Sequence, residues 1–388
     1  MRWNILAVDD DTSTTRQIKE FLDGRINGSD DELAVDVTND FDKALQELDK
    51  MLYDLVILDV FKGKVGLKIK IRPGEDILQE IQRRCFIPVI FYTALLSAVN
   101  DKKSDLVYVV HKTTGGLEEL KTAVINLINT GLPAVNRGII NHFFRVQAEY
   151  MWKFVEPRWK EFNRIVDTKS LAYLLSRRLA MSLTRENIQY FIDSLGGSAA
   201  TGTITGDFVH PVEYYIYPPI GAQYNTGDIL SRKEKKRTIY GIILTPSCDM
   251  VQDDARKARS EYVLATGCIP LSETEEGKEW LQRGSSNTKT DLAEFMKNNK
   301  KKGQKERYYF LPGTFFLPGL FVDFQRIYTI PFNELNGFEK TATLDSPFAE
   351  SLLNRFCRYI GRIGTADLHE SEIESLINNI QKARKKKK

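Results

Sequence analysis

Cysteine is scarce and unpatterned. Cys85, Cys248, Cys268 and Cys357 stand far apart with no CxxC spacing, which excludes a disulfide framework and a zinc knuckle of paired thiolates. No apolar run approaches the roughly 20 residues of a membrane span, so no membrane partner is expected. The start Met1-Arg2-Trp3-Asn4-Ile5-Leu6-Ala7-Val8-Asp9 reaches a carboxylate before a signal-peptide core could form, and a cytoplasmic location is expected. No GxGxxG or GKS/T motif follows the first apolar run, which leaves dinucleotide and P-loop chemistry without support. HExxH, GxSxG and metal-spaced Cys/His sets are missing as well. An overall basic charge is also lacking. The formal net charge is +3, and six positives crowd into the tail as Lys382, Arg384, Lys385, Lys386, Lys387 and Lys388. Nucleic-acid binding therefore has to be argued from local patches.

What is present is ordinary globular material: 42% hydrophobic and 28% charged residues over a chain of 388, enough for two or three domains. Up to about residue 131, short apolar runs alternate with amphipathic stretches, the pattern of a parallel sheet covered by helices on both faces. Five strands are expected, at Trp3 to Val8, Leu33 to Thr38, Tyr53 to Val60, Pro88 to Thr93 and Leu106 to His111, with roughly five helices between and after them. Phe41, Leu45 and Leu48 share one helical face, as do Ile77, Leu78 and Ile81. Leu117, Leu120, Val124 and Leu127 mark a closing helix.

The chemistry lies at the strand ends. Asp9 and Asp10 follow the first strand, Asp59 ends the third, Thr93 the fourth, and Lys112 follows the fifth. An open parallel sheet binds ligands beyond the carboxyl ends of its strands, where these groups would converge. Three carboxylates in one crevice repel unless a divalent cation neutralises them. Oxygen ligands favour Mg²⁺, which completes its octahedron with water and phosphate oxygens. A lysine and a hydroxyl beside them suit an aspartate that accepts a phosphoryl group.

Val8-Asp9-Asp10, Leu58-Asp59, Tyr92-Thr93-Ala94 and Lys112, in this order at strand ends, resemble the receiver domain of bacterial response regulators over about residues 1–131. The resemblance implies a five-stranded doubly wound α/β receiver, Asp59 as phosphoacceptor, and Mg²⁺ held by Asp9, Asp10 and Asp59. It further implies that Thr93 senses the phosphoryl group, that Lys112 pairs with it, and that a histidine kinase or another phosphodonor is a partner. Three departures stand out. Phe61 to Pro73 expand the loop after Asp59 with Lys62, Lys64, Lys68, Lys70 and Arg72, and alternating Val65, Leu67, Ile69 and Ile71 suit an extra hairpin or edge strand. Val109 stands where the family's aromatic switch is usual, with Tyr108 one place away. Thr113 follows Lys112 where proline is common.

Residues 132–196 read as a helical linker or dimerisation region rich in bulky aromatics, among them Phe143, Phe144, Trp152 and Trp159. Their face needs cover from the receiver, the next domain or a second copy. Leu171 to Leu195 also fits a helix-turn-helix. After the glycine-rich stretch from Gly196 to Gly202, residues 197–388 read as an α+β output domain with a small β-barrel-like core. Its strands are expected at Glu213 to Tyr217, Thr238 to Thr245, Tyr262 to Ala265, Arg307 to Leu311 and Phe321 to Ile330, and two helices at Pro347 to Ile363 and Glu370 to Arg384 close it.

In that domain Thr245-Pro246-Ser247-Cys248-Asp249 follows a buried strand. Cys248 is a candidate nucleophile, and Asp249 with Asp228 a candidate metal pair, against the plain reading of a strand-ending turn and helix cap. Gly227-Asp228-Ile229-Leu230 is faintly similar to the small barrels of bacterial toxin endoribonucleases. Arg355, Arg358 and Arg362 share a helical face expected to be solvated or salt-bridged, with phosphate binding or pairing with Asp323 and Asp345 as the alternative. The basic loops Lys297 to Arg307 and Arg232 to Arg237 offer a nucleic-acid footprint. The output is thus expected to dock a protein partner, with a nuclease or hydrolase effector and a nucleic-acid binder as alternatives.

Overall fold

Val8, Leu58, Thr93 and His111 each end a strand, and the four strands run side by side in one direction, so the residues that follow them meet at one edge of a sheet. The computed structural model describes residues 1–26, 28, 30–50, 52–61, 73–183, 209–235, 237–252, 256–298, 306–362 and 368–385. The chain divides into two compact units, Met1–Gly206 and Asp207–Lys388.

In the first unit the strands are β1 (Arg2–Val8), β2 (Gly24–Arg25), β3 (Glu32–Thr38), β4 (Leu55–Leu58), β5 (Val89–Thr93) and β6 (Val107–His111), in the order β2-β3-β1-β4-β5-β6. The five longer ones are parallel, in the order of flavodoxin-like sheets. Every residue of β4 and β5 is buried, as a strand covered on both faces requires. Helices α1 (Thr12–Leu22), α2 (Phe41–Lys50), α3 (Pro73–Arg84) and α4 (Gly116–Asn129) flank the sheet. Ile5, Ile57, Ile90, Leu120 and Val124 share one core, while Leu6, Val56, Phe91, Phe41 and Ile77 share another.

Two details differ from expectation. The two-residue β2 lies antiparallel to β3 at the sheet edge. Between β5 and β6 there is no α-helix but two 3-10 turns, Leu96–Ala98 and Asn100–Lys102. Ser, Asn and Asp are residue types that favour local side-chain bonds over a helical ladder. Ser104, for example, accepts through its hydroxyl from the N–H groups of Leu106 and Val107. The insertion expected to form a hairpin lies outside the described residues between Phe61 and Pro73.

Beyond Gly131, whose φ of 75° is left-handed, helix α5 (Leu132–Tyr150) passes through a π turn and a 3-10 turn into α6 (Trp159–Ile165). Asp167 then caps α7 (Thr168–Ser182), accepting from the Ser170 N–H at 2.6 Å. The second half of the suggested helix-turn-helix, from 184, lies outside the described residues. Arg137 on α5 fixes this extension: its Nε donates to Asp54 Oδ1 at 2.7 Å, its Nη1 to the Arg2 carbonyl at 2.6 Å, and its guanidinium lies over the Trp3 ring. Phe144, Trp152 and Trp159 are exposed.

The second unit is built on strands β7 (Tyr215–Ile216), β8 (Asp228–Glu234), β9 (Arg237–Ile243), β10 (Tyr262–Pro270), β11 (Tyr308–Leu311), β12 (Leu320–Pro331) and β13 (Glu339–Leu344). They form one antiparallel sheet in the order β11-β12-β10-β9-β8-β13-β7. Expected as barrel-like, it is an open half-barrel. Its end strands are tied by a side chain instead of a backbone ladder: the Tyr215 hydroxyl donates to the Pro312 carbonyl at 2.7 Å, just past β11. Tyr215, Tyr309, Leu311, Val322 and Phe324 fill the concave core together with Leu352 and Tyr359 of the helix Phe348–Ile360. Strands β8 and β13 and the helices Glu275–Arg283 and Ser286–Phe295 had no counterpart in the sequence reading.

Candidate functional site

The site forms because buried apolar strands give way to polar residues at one edge: β1 and β4 stop before Asp9 and Asp59, β5 ends in Thr93, and Lys112 follows His111 at the end of β6. Asp9 comes first and is buried, and its Oδ1 accepts from the Asp11 N–H at 3.1 Å. Asp11 turns away to cap α1, accepting from Ser13 N–H at 2.9 Å and from the Thr14 hydroxyl at 2.9 Å. Asp59 follows β4. Its N–H extends the ladder to Val8 C=O at 2.8 Å, and its Oδ1 accepts from the Val60 N–H at 2.7 Å. One carboxylate oxygen from each of Asp9, Asp10 and Asp59 lies within 4.8 Å of the others.

Lys112 closes the cluster. Its Nζ is 2.6 Å from Asp9 Oδ2 and 2.7 Å from Asp59 Oδ2. Burial alone would lower the lysine pKa, but the charges of Asp59 and Asp9 outweigh it and the net shift is upward. Burial pushes the Asp9 carboxyl up to about 6, against the pull of Lys112 and with help from the charge of Asp59. A carboxylate held above its usual range in a cluster of like charges is what a bound cation relieves, so three oxygen donors at this spacing fit a hard divalent ion. Thr93 is buried, with its hydroxyl accepting from the Leu95 N–H at 3.3 Å, and its carbonyl accepts from the Lys112 N–H at 3.0 Å. All five residues singled out in the sequence thus meet at one sheet edge.

Gly74 is a constraint that spacing does not reveal. A Cβ there would lie 2.1 Å from the Asp59 carbonyl oxygen, so only glycine lets the start of α3 pass so close to the backbone of Asp59.

The second unit disperses its candidates. Asp228 is fully buried: Oδ1 accepts from the Thr343 hydroxyl at 2.5 Å, Oδ2 from the Asn225 N–H at 2.8 Å, and Lys340 Nζ is 3.7 Å away. Burial raises its pKa. Cys248 is exposed, with Sγ 3.9 Å from Asp249 Oδ1, and the Arg256 guanidinium donates to the Cys248 carbonyl. The two turns adjoin, since Thr226 N–H donates to the Ser247 hydroxyl at 2.9 Å. Among the described residues the carboxylate cluster with metal-ligand spacing is that of the first unit.

The three arginines of the helix Phe348–Ile360 and its end do not act as a set. Arg355 is buried and donates to the Tyr308 carbonyl at 2.9 Å, Arg358 lies 3.6 Å from Glu306, and Arg362 stacks over Tyr359. Asp323 instead takes a two-pronged bond from Arg307, both contacts at 2.7 Å, because neighbouring strands β11 and β12 bring the pair together. They line a polar cavity of about 670 Å³ with Lys278, Arg326 and Arg362. Of the basic loops, 299–305 and 236 lie outside the described residues, and Arg232 pairs with Glu234 at 2.6 Å.

No family model and no curated protein matches the chain. Among solved structures, a Thermotoga maritima response regulator determined with Mg²⁺ and BeF is 26% identical over 32% of this chain and 98% of its own, with a TM-score of 0.25. A Francisella response-regulator receiver domain is 22% identical over 33% of this chain and 98% of its own, at a TM-score of 0.25. The BeF3-activated DrrB receiver domain is 23% identical over 33% and 99%, at 0.25. The receiver-like α/β fold of the first third rests on its own strand order and strand-end residues. Among the described residues no helix is long and apolar enough to cross a membrane.

Proposed function

We propose that the chain is a response regulator whose first unit is phosphorylated on Asp59 and whose second unit is its output. The observation that carries this is the bridging of Asp9 and Asp59 by one ammonium beside a third carboxylate. An Asp59 carboxylate oxygen attacks phosphorus of the donor, a histidine kinase phosphohistidine or a small acyl phosphate. The bond from phosphorus to the donor atom breaks, and the leaving group keeps its electron pair. Lys112 then pairs with a phosphoryl oxygen and Thr93 offers its hydroxyl to another. Asp9, Asp10 and Asp59 would hold Mg²⁺, which when bound offsets the charge of the phosphoryl oxygens.

The output is read as a module that docks a protein partner, supported by exposed apolar side chains such as Phe315 at 83% and Ile220 at 76%. A hydrolase reading keeps only Cys248 and Asp249, since both oxygens of Asp228 are engaged within the fold. The test is intact mass after incubation with acetyl phosphate and Mg²⁺. Wild type gains one phosphoryl group and Asp59→Asn does not; an equal adduct on both overturns the reading.

A further inference from the structure

Lys112 has a third neighbour besides the two carboxylates: its Nζ lies 5.8 Å from the centroid of the Tyr92 ring, within the range at which a cation is drawn to an aromatic face. Tyr92 is buried on β5, in the same core as Leu120, Val124 and Leu127 of α4. The far edge of its ring touches the start of that helix. A Cβ at Gly116 would lie 3.2 Å from the Tyr92 hydroxyl oxygen and 3.3 Å from its Cε2. The ring therefore lies between the ammonium and the first turn of α4; Gly116 itself is required by the His111 carbonyl oxygen, which a Cβ there would meet at 2.4 Å, and the ring packs close beside it. Glu119, in that same first turn, acts electrostatically on the phenol along with Lys112 and Asp9. The other aromatic at the end of this sheet, His111, is engaged elsewhere, with its Nε2 3.0 Å from the Ala94 carbonyl.

We propose that Tyr92 is a positioning residue that joins Lys112 to the first turn of α4, so that displacement of the ammonium by the phosphoryl group is passed to the helix. The proposal rests on the reading of Asp59 as phosphoacceptor. A phosphorylated Asp59 brings new negative oxygens, and an ammonium that turns toward them leaves its place over the ring. The ring is packed on one side by Lys112 and on the other by Gly116, so it follows. Helix α4 is a continuous 14-residue rod, about 21 Å long at the usual rise, and it ends beside Gly131 and α5. A shift of its first turn is thereby delivered to the helical extension.

The test uses the full chain with Mg²⁺ and beryllofluoride. Loading of the site is read by fluorine NMR, and hydrogen exchange is read at residues 116–120. In wild type and Tyr92→Phe, which keeps the ring, loading should change protection of 116–120. In Tyr92→Leu the site should still load while that change falls at least threefold. A Tyr92→Leu protein that loads and responds like wild type overturns the proposal, as does loss of the response in Tyr92→Phe. If wild type itself does not load, the phosphoacceptor reading falls and this one with it; if all three load and respond alike, only this one falls. A measurement without any variant serves should Tyr92→Leu not fold. The Lys112 ε-methylene protons must resonate upfield of those of exposed lysines in the free chain and move back on loading. Their absence from the upfield region overturns the proposal.

Discussion

Arg137 and Asp54 form an ion pair within the first unit that ties helix α5 to the segment leading into β4. Asp54 is buried, and its Oδ2 also accepts from the Asn4 N–H at 2.7 Å. The helical extension is thereby fixed to the sheet near the starts of β1 and β4, at the opposite end of those strands from Asp9 and Asp59.

Arg137→Ala removes one partner of a buried pair and leaves the Asp54 charge uncompensated. The expected loss is about 3 kcal/mol. Arg137→Ala combined with Asp54→Asn should cost clearly less than the sum of the single changes, because the two share one interaction. Urea denaturation of the four proteins measures this, and strict additivity would mean that the pair contributes nothing.

Asp9 sets a pH dependence. Its carboxyl is held at about 6 in the folded chain, chiefly by burial, whereas an unfolded aspartate titrates near about 3.9. The folded state therefore binds this proton more tightly. The contribution is fully present below about pH 4 and is lost as pH rises to about 6. Asp9→Asn should melt above wild type at pH 7.5, by the equivalent of roughly 1 to 3 kcal/mol, and the difference should shrink toward pH 4. Calorimetry across that range checks the sign, and the same variant should lose Mg²⁺-dependent phosphorylation.

Gly74→Ala places a methyl group against backbone atoms of Asp59 and Val60 that have no side-chain freedom with which to yield. The start of α3 must shift, at a cost of roughly 1 to 3 kcal/mol. Because the shift displaces the backbone of Asp59 and Val60, the proposed phosphorylation of Asp59 by acetyl phosphate should slow as well. A variant as stable and as reactive as wild type would show that the loop is free to move.

The parallel sheet and its site were legible in the sequence for a physical reason. Strands covered on both faces read as unbroken apolar runs, such as Leu55-Val56-Ile57-Leu58, and the polar residue that ends each run is the one the fold places at the sheet edge. The 3-10 turns after Thr93 were not legible, because a few apolar residues at helical spacing say nothing of the local bonds that Ser104 makes with the backbone beyond them. Strand β8 was hidden too. Asp228, charged and next to a turn glycine, reads as a loop residue until Thr343 and Asn225 supply its partners. Arg307 and Asp323 meet only through pairing across strands, at a separation no local pattern encodes. Tyr92 escaped because a tyrosine within an apolar run reads as core, and its second role depends on where Lys112 and Gly116 lie in space.

Strand β13 sits between β8 and β7 in the second sheet, and this has a consequence during synthesis. A nascent chain on the ribosome exposes β7 and β8 more than a hundred residues before their shared partner emerges. Until Glu339–Leu344 arrive, β7 has no backbone ladder to join and β8 presents an open edge beside β9. Such an edge pairs readily with other chains. Premature termination between Ile243 and Glu339 would therefore leave a fragment disposed to aggregate, while the first unit, whose sheet is complete by His111, would already have folded.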